Sequence, residues 1–116
     1  MPRPQRAVYA HSRHRKVIRQ AKGYRGRAKN TFRVARQSVE RALVYSYQHR
    51  RKRKGDFRRL WIMRLNAAAR AHGMTYSAFM QALKSSGVSV NRKMLAALAV
   101  DEPQVFASLL KHVRGK

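Results

Sequence analysis

The chain has 116 residues and carries 28 Lys and Arg against 4 Asp and Glu, a formal charge of +24. Such an excess cannot be neutralised within one protein surface, so it calls for a polyanionic partner, nucleic acid ahead of an anionic membrane. There is no cysteine, which excludes disulfides and thiolate metal sites, and no apolar run approaches the ~18 residues needed to cross a bilayer.

The charge is uneven. Residues 1–60 hold 20 Lys and Arg and 2 acids; residues 61–116 hold 8 and 2. Most of the aliphatic residues fall in the second half. The pattern is a basic arm over residues 1–58 followed by a small core-forming domain over 59–116.

Pro2 and Pro4 keep the tip of the arm extended. A short helix is expected from about Val8 to Lys22, ended by Gly23-Tyr24-Arg25-Gly26. The basic pattern runs past residue 50 with no change at a cleavage point, so it reads as arm and not as an organelle transit peptide. From about residue 27 to 72 one long helix is expected. Phe32, Ala35, Val39, Leu43 and Ser46 keep a 3.6-residue phase, as do Phe57, Trp61, Leu65 and Ala68. Gly55 weakens it locally and marks a candidate bend. Between the two stripes lies HRRKRKGDFRRLW, with Arg50, Arg51, Lys52, Arg53 and Lys54 in a row. A helix that is polar on every face has no protein core to lie on, and its like charges repel at i,i+3 and i,i+4. Phosphates around it would reverse that cost.

Three short helices complete the chain. Thr75 is placed to N-cap Tyr76 to about Lys84, and Asn91 to N-cap Arg92 to about Val100. Asp101 is placed to cap a last helix, with Pro103 in its first turn and Gln104 in a capping-box position. The candidate core is Leu60, Trp61, Leu65, Phe79, Leu83, Met94, Leu95, Leu98, Phe106, Leu109 and Val113. A core drawn from under ~60 residues is marginal.

Enzymatic chemistry is poorly supplied. Glu40 and Asp56 lie among cations, where pairing with arginine accounts for them. Asp101 and Glu102 suit a helix N-terminus. His11 and His14 are three apart but lack a third metal ligand, and no nucleotide or nucleophile motif occurs. No cofactor, metal or small-molecule substrate is expected. Nucleic-acid features are plentiful. Arg13, Arg15, Lys16, Arg19, Lys22, Arg25, Arg27, Lys29, Arg33, Arg36 and Arg41 form a basic track rich in arginine, which suits bidentate phosphate contact. Tyr9, Tyr24, Tyr45 and Tyr47 are interleaved with the cations and can stack on unpaired bases or pack against protein. Trp61 reads as a core anchor. A rival reading takes residues 75–84 and 91–99 as a helix-turn-helix with Asn91, Arg92 and Lys93 as base readers, hence a DNA-binding or nucleoid protein. A membrane-surface helix needs a sustained apolar face, which is broken at residues 46–54.

The strings HRKVIRQAKGYRGRAKNTFRVARQSVERAL, RRKRKGDFRRLWIMRLNAAAR, GMTYSAFMQAL and NRKMLAALA resemble the bacterial-type large-subunit ribosomal protein L-twenty family, over nearly the whole chain. FRRLWIMRLNAAAR is the most specific part. The resemblance implies an all-α fold with a long basic N-terminal helical arm and a small C-terminal helical domain. It implies binding to large-subunit ribosomal RNA beside neighbouring large-subunit ribosomal proteins and a role early in subunit assembly. For some members it implies binding to their own messenger RNA. The compartment it implies is the bacterial cytoplasm or an organelle of bacterial descent. Carried over by position, the RNA-contacting segments are Arg3 to Lys29 (with Arg6), Arg33 to Arg41, and Arg50 to Arg59 (with Arg58). Arg64, Arg70, Ser77, Asn91, Arg92 and Lys93 make up the RNA face of the C-terminal domain.

Overall fold

The computed structural model describes residues 6–115. It is helical, with no strand among the described residues: α1 (Arg6–Gln20), a 3-10 turn (Gly26–Lys29), α2 (Phe32–Ala71), α3 (Tyr76–Ser85), α4 (Arg92–Asp101) and α5 (Pro103–Arg114). Pro2, Arg3 and Pro4 lie outside the described residues, as does the side chain of Arg6. The chain divides into two compact units between Arg51 and Lys52, and α2 contributes to both.

In the first unit, α1 ends where Gly23 and Gly26 adopt φ of +89° and +62°. A residue with a Cβ is strained there, so the helix cannot run through. The long helix therefore begins at Phe32 and not near residue 27. The amides of Asn30 and Thr31 both donate to the Arg27 carbonyl, at 3.2 and 2.9 Å, which closes a turn before α2 starts. Ala21, Ala35 and Val39 are buried together, with Val17, Ile18 and Tyr24 packed on them. The His14 ring stacks on Phe32 with centroids 3.7 Å apart. Leu43, expected on this stripe, is 60% exposed: the stripe outlasts the core that α1 and its turn can build.

The second unit holds the larger core: Leu65, Ala69, Phe79, Leu83, Leu95, Ala96, Phe106, Leu110 and Val113. α5 packs on both α3 and α4, and Phe79 meets Phe106 with ring centroids 5.5 Å apart and planes inclined by 59°. Trp61, Leu98 and Leu109 are half-buried against this core, so Trp61 is the anchor its pattern suggested. Leu60 is also half-buried. Met94 is a correction. It is 60% exposed, because Leu95 and Ala96 are the positions of α4 that turn inward.

The helix ends follow local chemistry. Thr75 Oγ1 accepts from the Ala78 amide at 3.3 Å, and Asn91 Oδ1 accepts from the Met94 amide at 2.8 Å. At the end of α3, Val88 donates to Leu83 and Gly87 to Lys84, each at 3.2 Å, with Gly87 at φ +71°. That pair of hydrogen bonds over a left-handed glycine satisfies carbonyls the helix would leave open. α2 runs through Gly55 without interruption. The expected cap of α5 is the second correction. Asp101 remains the last residue of α4, and Glu102, at φ −133° and ψ 72°, occupies the capping position with no side-chain hydrogen bond. A residue before proline is pushed out of the helical region, so Pro103 places the break at Glu102. Gln104 makes no capping box there; its carbonyl accepts from the Ser108 hydroxyl at 3.0 Å.

Candidate nucleic-acid interface

On α1, Arg13, Arg15, Lys16 and Arg19 are exposed, and after it so are Lys22, Arg25, Arg27 and Lys29. Tyr24 is half-buried against the Ala21–Ala35–Val39 cluster, so its ring is partly used by protein packing. Early in α2, Arg33, Arg36 and Arg41 are exposed. Arg36 Nε pairs with Glu40 Oε1 at 2.9 Å, and Arg59 lies 3.9 Å from Asp56. Both pairs are surface contacts one turn apart, which explains the two acids as helix neighbours of arginine and leaves them little energetic weight.

Every residue from 43 to 59 is exposed. This stretch contains Arg50, Arg51, Lys52, Arg53, Lys54, Arg58 and Arg59, and α2 stays helical throughout it. The cations therefore point outward in several directions from a rod and do not share one face. Helical backbone needs no partner for its own hydrogen bonds, so such a rod can be surrounded by polyanion with nothing left unsatisfied.

In the second unit, Arg64 and Arg70 are exposed on α2, and Arg70 Nε donates to Asn66 Oδ1 at 3.2 Å. Ser77 is exposed near the start of α3. Asn91 and Lys93 are exposed at the start of α4, while Arg92 is half-buried, its Nε donating to the Tyr76 hydroxyl at 2.7 Å. That bond ties the start of α4 to α3 and holds the guanidinium at a set orientation. Asn91 has its carbonyl oxygen committed to the cap, which leaves its amide NH2 to donate outward. Among the described residues no hydrogen bond or ion pair joins Arg64 or Arg70 to the Asn91–Lys93 group.

Two local features escaped the sequence reading. The Arg51 guanidinium lies 4.9 Å from the centre of the Tyr47 ring, and the Tyr45 and His49 rings lie 6.2 Å apart with planes within 16°. Both pairs are four residues apart on a helix, a spacing that marks surface neighbours. The Arg92–Tyr76 bond had no such signal, since sixteen residues separate its partners.

The described residues include no group of three or more His, Asp or Glu side chains able to hold a metal, and no helix is long and apolar enough to cross a membrane. The connection from α3 to α4 runs from Ser86 through Asn91, longer than the three- or four-residue helix-turn-helix turn.

The arrangement defines an all-helical basic protein whose cations ride on exposed helix and turn, with its buried apolar residues, among those described, in two separate clusters. The family described as Ribosomal protein L20 matches residues 3–109, and the chain belongs to it. It is similar to the large ribosomal subunit protein bL20 of Wolbachia pipientis subsp. Culex pipiens, 56% identical over 116 residues, covering 100% of this chain and 96% of that one. The proteins of the same name from Azoarcus sp. and Methylibium petroleiphilum are 55% and 51% identical, each covering 100% of this chain and 98% of the relative. The family is one of ribosomal proteins and not of enzymes. That membership removes the ground for a helix-turn-helix regulator.

Proposed function

We propose that the chain is a structural constituent of the large ribosomal subunit in the bacterial cytoplasm, that it binds large-subunit ribosomal RNA directly, and that it acts early in subunit assembly. The observation that carries this reading is the exposed, cation-dense helix from residue 43 to 59 in a chain that matches a ribosomal family over nearly its whole length. A bare basic rod is unfavourable in water and favourable among close-packed phosphates. The arm, residues 1–58, supplies reach and charge. The domain from residue 59 supplies an ordered face built on Arg64, Arg70 and the Asn91–Lys93 turn. Neighbouring ribosomal proteins and, as a regulatory target, its own messenger RNA complete the set of partners.

Sucrose-gradient sedimentation of cell extract tests this. The protein should travel with large subunits and stay there after a high-salt wash. Release into the light fractions on deoxyribonuclease treatment, with none in large subunits, would sink the ribosomal reading.

A further inference from the structure

The exposed stretch of α2 carries rings that phosphate neutralisation does not use. Tyr45 and Tyr47 are 55% and 53% exposed. Tyrosine and histidine are weaker helix formers than alanine, lysine or arginine, so neither is there to hold the helix. Each tyrosine is backed by a partner one turn on, Tyr45 by the nearly parallel His49 ring and Tyr47 by the Arg51 guanidinium. At 3.6 residues per turn, a step of two residues rotates by about 200° and rises by about 3 Å. The two pairs thus stand at almost one height on opposite sides of the rod. The rod is about 10–12 Å across, whereas successive stacked nucleotides of one strand are about 3.4 Å apart. Neighbouring bases that remain stacked on one another therefore cannot reach both pairs.

The charge decides the occupant. No carboxylate lies between Glu40 and Asp56, while Arg41, Arg50, Arg51, Lys52, Arg53 and Lys54 do. Aromatic faces among arginines match unpaired bases on a polyanionic chain.

We infer that Tyr45 with His49 and Tyr47 with Arg51 are two separate stacking platforms, each taking an unpaired base from a different RNA segment, so that this part of α2 joins the two segments. The inference rests on the RNA-binding reading above.

The test uses the full chain and two short RNA hairpins with single-stranded loops, one carrying a donor dye and the other an acceptor, each with a 2-aminopurine in its loop. Salt is raised until loose phosphate contact is weak. The native chain should quench 2-aminopurine in both RNAs and produce energy transfer between them. Tyr45→Leu and Tyr47→Leu should each cut transfer about five-fold or more while one RNA stays bound and quenched. Tyr45→Phe and Tyr47→Phe should keep both signals, because the ring remains. Undiminished transfer in both leucine variants would overturn the proposal. So would complete loss of quenching in both RNAs in either leucine variant, which means one shared site, or loss in the phenylalanine variants, which means the hydroxyls act and the faces do not. Native protein that binds neither hairpin, nor ribosomal RNA itself, would instead overturn the RNA-binding reading. Native protein that binds ribosomal RNA but gives no transfer overturns only the bridge.

Discussion

The two units draw on the same kind of helix for opposite purposes. Among the described residues the first buries only Ala21, Ala35 and Val39, three small or medium side chains. The second buries Leu65, Phe79, Leu83, Leu95, Phe106, Leu110 and Val113 with two alanines. Fully burying one large apolar side chain is worth about 1.5–3 kcal/mol, so the second core has far more to set against the entropy of ordering its chain. In the first unit self-repulsion adds to that cost. The difference teaches that helix content and fold stability are separable. The first unit is largely helical among its described residues, yet it buries little apolar surface to hold those helices in a fixed fold.

Limited proteolysis of the free protein should show this contrast most strongly. The arm should be cut within the first minutes, leaving a resistant fragment that begins near residues 54–60. Full-length chain surviving without RNA would put the two units on equal footing. Next in size is Phe79→Ala, which empties the centre of the second core. It should cost about 3–5 kcal/mol in urea unfolding followed by tryptophan fluorescence, since Trp61 packs on that core. A loss below about 1 kcal/mol would mean the core is looser than its burial indicates.

Replacing Arg50 to Lys54 with alanine should leave that unfolding transition in place and raise helicity, alanine being the best helix former. Affinity for ribosomal RNA should fall, and the slope of log affinity against log salt should flatten by about 4, at about 0.7–0.9 per phosphate contact. An unchanged slope would remove the run from the interface. Thr75→Ala should cost about 1 kcal/mol through loss of the N-cap, read as a lower urea midpoint at constant m-value. The smallest effect belongs to Glu40→Gln. The Arg36–Glu40 pair is 64% and 60% exposed, so stability should move by less than about 1 kcal/mol, while general RNA affinity rises slightly as one negative charge leaves. A clear drop in affinity would give Glu40 a role in recognition.

Helix starts were legible wherever a single residue decides them. Thr75 and Asn91 cap the helices their positions indicated, because the bonds reach only three residues along the chain. The start of α5 was not, since two acids compete for one position and the restraint from Pro103 outweighs the better capping side chain. The core was legible at Leu65, Phe79, Leu83, Leu95, Phe106 and Val113. Ala69 and Ala96 were missed, as alanine fits the inside and the outside of a helix equally well until a neighbour approaches. Leu109 and Leu110 are adjacent, and periodicity alone favours neither; packing put Leu110 inside. In the arm, a continuous apolar period overstated the buried stripe at Leu43 and Phe57, both exposed.

Sequence by itself determined the helical period, the glycine breaks, the two side-chain caps and the excess of cations in the first half. These depend on bonds within a turn or on charges that can be counted. Tertiary structure alone decided which residues of each stripe are covered, how Tyr76 holds Arg92, and that nothing within the described protein covers residues 43–59. Burial depends on which other helix comes near, and that approach is set by packing between residues far apart in the chain.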